Sequence, residues 1–222
     1  MPKTHVVVPA RLASTRLPRK PLADLAGKPM IVWVAERARL IEADDLVIAV
    51  DDVEVLEVVK NAGYDCLLTS RDHLSGSDRV MEVVEKKKWD CDDVVINIQG
   101  DEPLLPSKIV DDLISLMHSD LDIQMATLSE PISDFSDFEN PNCVKVVTDI
   151  NGMALYFSRA PIPFPRDEAA VLRKKQPTGF NQWGFDYPIK RHVGIYGFRV
   201  SALTEFVSFQ ESDLERLEKL EQ

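Results

Sequence analysis

Three short and nearly unbroken apolar runs constrain this chain more than any other feature: Val6-Val7-Val8, Leu46-Val47-Ile48-Ala49-Val50 and Val94-Val95-Ile96-Asn97-Ile98. A strand that is apolar on both faces has to be covered on both, which is the habit of parallel sheets packed between helices. The intervening stretches supply the covers. Pro29 to Glu42 places Met30, Ile31, Val34, Ala38 and Ile41 on one helical stripe, and Val53 to Ala62 reads as a helix stopped by Gly63. Ser77 to Lys88 and Pro106 to His118 read as two more, the latter with proline in its first turn. With a short strand at Asp65 to Leu68, the alternation predicts an α/β fold, an open, mostly parallel, Rossmann-like sheet flanked by helices with right-handed crossovers.

From Met125 the rhythm becomes strand-rich. Val144 to Thr148 and Met153 to Phe157 are predicted to form a hairpin through Asp149 to Gly152. Pro161 to Lys190 carries several prolines and little periodicity, so it is predicted as a long loop or lid. Val193 to Phe198 returns as a strand. The expectation is one domain over residues 1–222, with 125–198 as a small β-rich excursion. At the end, Glu211 to Gln222 sets Leu214, Leu217 and Leu220 three apart with no Gly, Asn or Pro to stop the helix. The chain is therefore expected to stop in mid-helix, either docked there or with its natural continuation missing.

Charge is distributed unevenly. Against 37 acids and 26 bases, a formal net charge of -11, the segment from Arg11 to Lys28 holds Arg11, Arg16, Arg19, Lys20 and Lys28 with one acid, Asp24. This loop leaves the C-terminal end of the first strand, where open α/β sheets bind ligands. Clustered Arg and Lys there predict a grip on a polyanion such as a nucleoside triphosphate; a merely solvated basic loop is the plainer alternative. No Walker A loop and no dinucleotide glycine motif is present, so side-chain cations would replace backbone donors. The acidic whole argues against nucleic acid, and no apolar run approaches the roughly 18 residues that membrane insertion needs. Cys66, Cys91 and Cys143 lack metal or disulfide spacing, which fits a reducing, cytoplasmic setting.

Other loops carry candidate chemistry. Gln99-Gly100-Asp101-Glu102-Pro103 follows the central strand, where Asp101 suits a Mg²⁺ ion carrying a triphosphate, although the same residues make a good acidic turn. Ser75, Gly76 and Arg79 open a helix and suit a base edge or a phosphate, or simply a cap. Arg159 and His192, bracketing small-residue strands, could hold a carboxylated substrate, structural roles being equally open.

Together these segments resemble the bacterial 3-deoxy-manno-octulosonate (Kdo) cytidylyltransferases. The resemblance is carried in order by PARLASTRLPRKPL (Pro9–Leu22), GKPM (Gly27–Met30), SGSDR (Ser75–Arg79), NIQGDEP (Asn97–Pro103), PNCVKVV (Pro141–Val147), ALYFSRAPIP (Ala154–Pro163), RHVGIYG (Arg191–Gly197) and LERLEKLEQ (Leu214–Gln222). It implies the nucleotide-diphospho-sugar transferase type of fold, a homodimer with the excursion as lid or dimer contact, and Mg²⁺-dependent transfer of CMP from CTP to Kdo with release of pyrophosphate. The 8-amino analogue of Kdo is the alternative acceptor. By motif, Arg11, Ser14, Arg16 and Lys20 would bind the triphosphate, and Ser75, Gly76 and Arg79 the cytidine. Asp101 would hold the metal beside Gln99, while Arg159, His192, Tyr196, Glu218 and Glu221 would line the sugar-acid pocket. Arg11, Lys20 and Asp101 would be catalytic.

Three departures stand out. Arg19 occupies a position that is usually Gly in this family, so a Gly-only backbone there is not assumed. Pro161 to Lys190 looks long. The family also continues into a Gly-Val-Asp-Thr segment whose Asp joins the metal site; a chain ending naturally at Gln222 is expected to be an impaired, nucleotide-binding form.

Overall fold

The computed structural model describes residues 2–13, 17–176 and 188–220. Along the chain run β1 (Thr4–Ala10), a 3-10 turn (Lys20–Leu22), β2 (Asp24–Leu25), β3 (Lys28–Pro29), α1 (Met30–Ala38), β4 (Asp45–Val50) and α2 (Val53–Asn61). Next come β5 (Cys66–Leu68), α3 (Gly76–Lys87), β6 (Val94–Asn97), α4 (Ser107–Ser119), β7 (Met125–Pro131), α5 (Phe135–Glu139), β8 (Lys145–Thr148) and β9 (Ala154–Ser158). Then follow α6 (Ala169–Lys175), β10 (Lys190–Arg199), α7 (Val200–Phe206) and α8 (Asp213–Glu218). None of the described helices is long and apolar enough to cross a membrane.

Two compact units emerge, Met1–Thr127 with Gly194–Gln210, and Leu128–Val193 with Glu211–Gln222. In the first, β5, β4, β1 and β6 lie side by side, all parallel, with Val7 opposite both Val47 and Asn97. The apolar runs are buried as expected: Val6, Val7 and Val8 are wholly inaccessible. Val80, Val83 and Val84 of α3 and Leu203 of α7 pack with Val7, Val47, Ala49, Val95 and Phe198. Each buried Val, Leu or Phe among them contributes about 1.5–3 kcal/mol. The C-terminal half of β10 joins β6 antiparallel, from Tyr196 opposite Asn97 to Arg199 opposite Val94. β10 passes straight into α7 at Val200 without a turn residue, which is why that helix carries no sequence signal.

At the N-terminal end of β1, His5 is buried with Nδ1 3.0 Å from Asp45 Oδ2 and Nε2 3.0 Å from Asp93 Oδ2, its ring stacked on Trp89 at 3.9 Å. Burial alone would raise the Asp93 carboxyl. Hydrogen bonds from His5 and the Lys3 N–H outweigh it, leaving the group below its ordinary value.

In the second unit the start of β10 pairs antiparallel with β8, and β8 with β9, Lys145 standing opposite Ser158. Ile132, Phe135, Phe138, Leu172 and Ile189 form its core. The stretch expected to be a loop thus contains a helix, α6, in which Leu172 is the one buried residue, too few to write a period. Its residues 177–187 lie outside the described part. The last helix differs too. It ends at Glu218, where Lys219 turns left-handed at φ 54, four residues before the expected run-out.

Candidate active site

β4 lies on one side of β1 and β6 on the other, and the chain reaches β6 from β5 through α3, so the sheet changes direction between β1 and β6. Ligands of open α/β sheets bind outside the strand ends at such a point. A cavity of about 650 Å³ lies there. The loop after β1 contributes Arg11 and Lys20, the start of α3 contributes Ser75, Gly76 and Arg79, and the loop after β6 contributes Gln99, Gly100 and Asp101. Six side chains and two glycines, drawn from three separate sequence motifs, thereby line one cavity. Ser14, Arg16 and Glu221 lie outside the described residues.

Local chemistry builds these walls. Ser75 caps α3, its Oγ accepting from Asp78 N–H at 3.0 Å while Asp78 Oδ2 accepts from Ser75 N–H at 3.0 Å, a reciprocal box that fixes the helix start. A Cβ at Gly100 would stand 2.7 Å from Pro9 O and 2.9 Å from Ala10 Cβ, so only glycine lets the β6 loop lie against the end of β1. Arg19, where a Gly-only backbone was not assumed, adopts the left-handed conformation that glycine favours, with φ 58 and ψ 32. Its guanidinium is paired with Glu54, which holds the side chain outward while Lys20 begins the 3-10 turn. Lys28 also leaves the cluster, pairing with Glu36 at 2.5 Å and lying over the Trp33 ring.

Within the cavity wall Lys20 Nζ pairs with Asp101 Oδ2. Both side chains are about two-fifths exposed, so the pair is weak and readily exchanged. Arg11 Nη2 donates to Leu74 O at 3.1 Å. Arg79, 3% exposed, donates through Nη1 to Thr69 Oγ1 and to Ser70 O at 3.1 Å, and its Nη2 stands 3.5 Å from Asp51 Oδ2. Burial lowers its pKa, which Asp51 opposes and Arg11 reinforces. The 69–75 loop is clasped further by Glu82, which accepts from Ser70 N–H at 2.8 Å, from Lys86 at 2.6 Å and from His73. Burial would raise this carboxyl, but those three donors bring it to about 2.

Of the residues expected around a sugar acid, Arg159, His192 and Glu218 belong to the second unit. In the second unit Glu218 accepts from Tyr156 OH at 2.7 Å, from Ser158 Oγ at 2.8 Å and from Arg159 N–H. Against the upward pull of burial, these bonds hold its carboxyl below the ordinary range. Arg159 donates from Nε to Glu218 O, from Nη2 to Lys219 O at 3.2 Å and from Nη1 to Pro141 O at 2.9 Å, closing the end of α8. His192 meets the Phe157 ring edge-on at 4.8 Å, and burial lowers its pKa to about 4, so its imidazole is neutral. Tyr196 belongs to the first unit, its ring 5.8 Å from that of Phe198.

Three contributors went unnoticed in the sequence. Asp51 and Glu82 looked like ordinary acids at a strand exit and on a helix. Asn97 is 1% exposed, yet among the described residues neither its amide nitrogen nor its amide oxygen has a hydrogen-bond partner, and a Cβ on Gly76 would lie 4.0 Å from that nitrogen. A buried amide left open beside a cavity wall calls for a polar ligand or a water.

Among the described residues no three His, Cys, Asp or Glu side chains gather as a metal cage. Mg²⁺ commonly takes one or two carboxylates and completes its shell with substrate phosphates and water. An exposed Asp101 at the cavity wall fits that role as a single protein ligand.

Residues 5–222 match the cytidylyltransferase family. The 3-deoxy-manno-octulosonate cytidylyltransferase of Psychrobacter sp. (strain PRwf-1) is 49% identical over 224 residues, covering 100% of this chain and 81% of the relative. That of Saccharophagus degradans is 46% identical over 217 residues, covering 98% and 83%. A solved CMP:2-keto-3-deoxy-manno-octonic acid synthetase complexed with CTP superposes with a TM-score of 0.86 at 39% identity, over 99% of this chain and 83% of that one. A cytidylyltransferase from Leptospira borgpetersenii, 18% identical with a TM-score of 0.59, shares the fold.

Proposed function

Since this chain belongs to the cytidylyltransferase family, and within it to the 3-deoxy-manno-octulosonate cytidylyltransferases, we propose that it transfers CMP from CTP to the anomeric hydroxyl of Kdo. The observation that carries the reading is the cavity at the β1/β6 switch, where Arg11, Lys20, Arg79 and Asp101 converge in an otherwise acidic protein. The hydroxyl oxygen attacks the α-phosphorus, the new O–P bond forms as the bond to the β-phosphate oxygen breaks, and that electron pair leaves with pyrophosphate. The hydroxyl proton passes to solvent.

Arg11 and Lys20 meet the triphosphate and offset charge on the departing pyrophosphate, which is the main way a protein assists phosphoryl chemistry. Lys20 changes partner from Asp101 to phosphate at little cost, because both groups are already half in water. Asp101 would hold a Mg²⁺ that arrives with the nucleotide, and that ion, when bound, supplies Lewis-acid charge neutralisation. Ser75 and Gly76 present the start of α3 to the cytidine, with Gln99 and the open Asn97 amide beneath them. For the sugar acid the reading assigns Arg159, His192 and Glu218; a neutral His192 offers a hydrogen bond to a hydroxyl and no charge. A cytoplasmic homodimer completes the proposal.

The test is pyrophosphate release from CTP, Mg²⁺ and Kdo. Release with Kdo is expected; release with only the 8-amino analogue shifts the acceptor, and release with neither overturns the reading. Asp101→Asn is expected to lower turnover about a hundredfold or more with the melting temperature nearly unchanged.

A further inference from the structure

Asp51 sits at the exit of β4, 8% exposed, and touches neither the cavity nor solvent to any extent. Its Oδ1 accepts from Leu12 N–H at 2.8 Å, at the root of the loop that carries Arg11 and leads to Lys20. Its Oδ2 faces Arg79 Nη2 at 3.5 Å, one turn into α3 behind Ser75 and Gly76. Its own carbonyl accepts from Arg71 Nε at 3.0 Å, which fixes the backbone from the other side. One carboxylate therefore joins the root of the loop after β1 to the first turn of α3, two segments that both line the cavity. Arg79 needs that partner. It is buried, and the positive charge of Arg11 works against it, so without Asp51 the larger of its two negative neighbours would be lost and only the weaker influence of Glu82 would remain.

We infer that Asp51 is a positioning residue for nucleotide binding, holding the phosphate-gripping loop and the base-side helix at the separation CTP requires. The inference rests on the reading of this cavity as the CTP site. The two oxygens do different work, and that makes the roles separable. The Arg79 contact serves the nucleoside end and is felt by any cytidine nucleotide, whereas the Leu12 contact serves the loop that meets the outer phosphates and is felt by CTP more than by CMP.

The experiment titrates wild-type protein, Asp51→Asn and Asp51→Ala with CTP and with CMP by calorimetry, alongside kcat and KM for CTP. Asp51→Asn keeps the shape and an oxygen for Leu12 N–H but loses the charge facing Arg79, and about a tenfold loss for both nucleotides is expected. Asp51→Ala also frees Leu12, so its loss for CTP exceeds its loss for CMP by about a further tenfold, seen in KM with kcat within about threefold. Wild-type affinity for both nucleotides in both variants overturns the inference. So does a fall in kcat with KM unchanged. If Asp51→Ala does not fold, Asp51→Asn decides alone: unaltered CMP binding refutes, a tenfold loss sustains. Wild-type protein that binds neither nucleotide overturns the reading of the cavity and this inference with it, whereas binding by wild type and variants alike overturns this inference only.

Discussion

Single atoms decide much of the site. At Gly100 the colliding group is the carbonyl of Pro9, main chain inside a buried strand, which cannot yield as a side chain would. Gly100→Ala is expected to cost about 2 kcal/mol or more in urea denaturation and to raise KM for CTP about tenfold. His192 provides a pH signature. Its folded pKa of about 4 lies below the ordinary 6.5, so as pH falls below 6.5 the unfolded chain takes up a proton that the folded chain refuses until about 4. Stability attributable to this group is therefore intact above 6.5 and lost progressively between 6.5 and 4. His192→Gln lacks that loss, and its stability relative to wild type should improve by about 2 kcal/mol between pH 7.5 and pH 4.5, measured by denaturant titration. Arg11, Lys20 and Asp101, which line the cavity, were legible as candidates because cations in an acidic chain and an acid after a central strand are anomalies in themselves. Asp51, Glu82 and Asn97 were not, because what distinguishes them is a partner, or a missing one, that only folding reveals.

Elements carry their own predictions. The 3-10 turn at Lys20–Leu22 is entered through a left-handed Arg19, a conformation that penalises any side chain by about 1–2 kcal/mol. Arg19→Gly is therefore expected to be more stable than Arg19→Ala by about 1 kcal/mol, both having lost the exposed pair with Glu54. Equal stabilities of the two variants would show that the turn carries no such penalty. Strands and long helices of the first unit were readable from apolar runs and periodicity, since burial on both faces leaves no freedom in composition. Short α5 and α6 were not, having too few buried positions to set a period. The end of α8 was misread for a different reason. No Gly, Asn or Pro stops it; Lys219 turns left-handed instead, and Arg159, 59 residues away, donates to the carbonyls of Glu218 and Lys219. Arg159→Ala should thus unwind α8 selectively, seen as faster amide exchange over residues 213–219 with β1 and β6 unchanged.

Across the whole molecule the acidic balance of -11 surrounds a basic mouth, so affinity for CTP has to come from aimed contacts at short range and not from the general field. The three thiols offer a global readout. Cys91 is exposed and should react first with a disulfide reagent, while Cys66 is buried and its thiol is pushed by burial up to about 12. Cys66 should be labelled only through unfolding, and CTP at a hundred times its dissociation constant should slow that labelling about a hundredfold. Unchanged labelling in CTP would mean that the nucleotide does not bind the folded state. The close seat of residue 100 on the end of β1 has one further bearing. An inhibitor resting on that floor would lean on main chain, which a point mutation cannot recontour, so resistance arising under such a compound would have to appear elsewhere on the pocket rim.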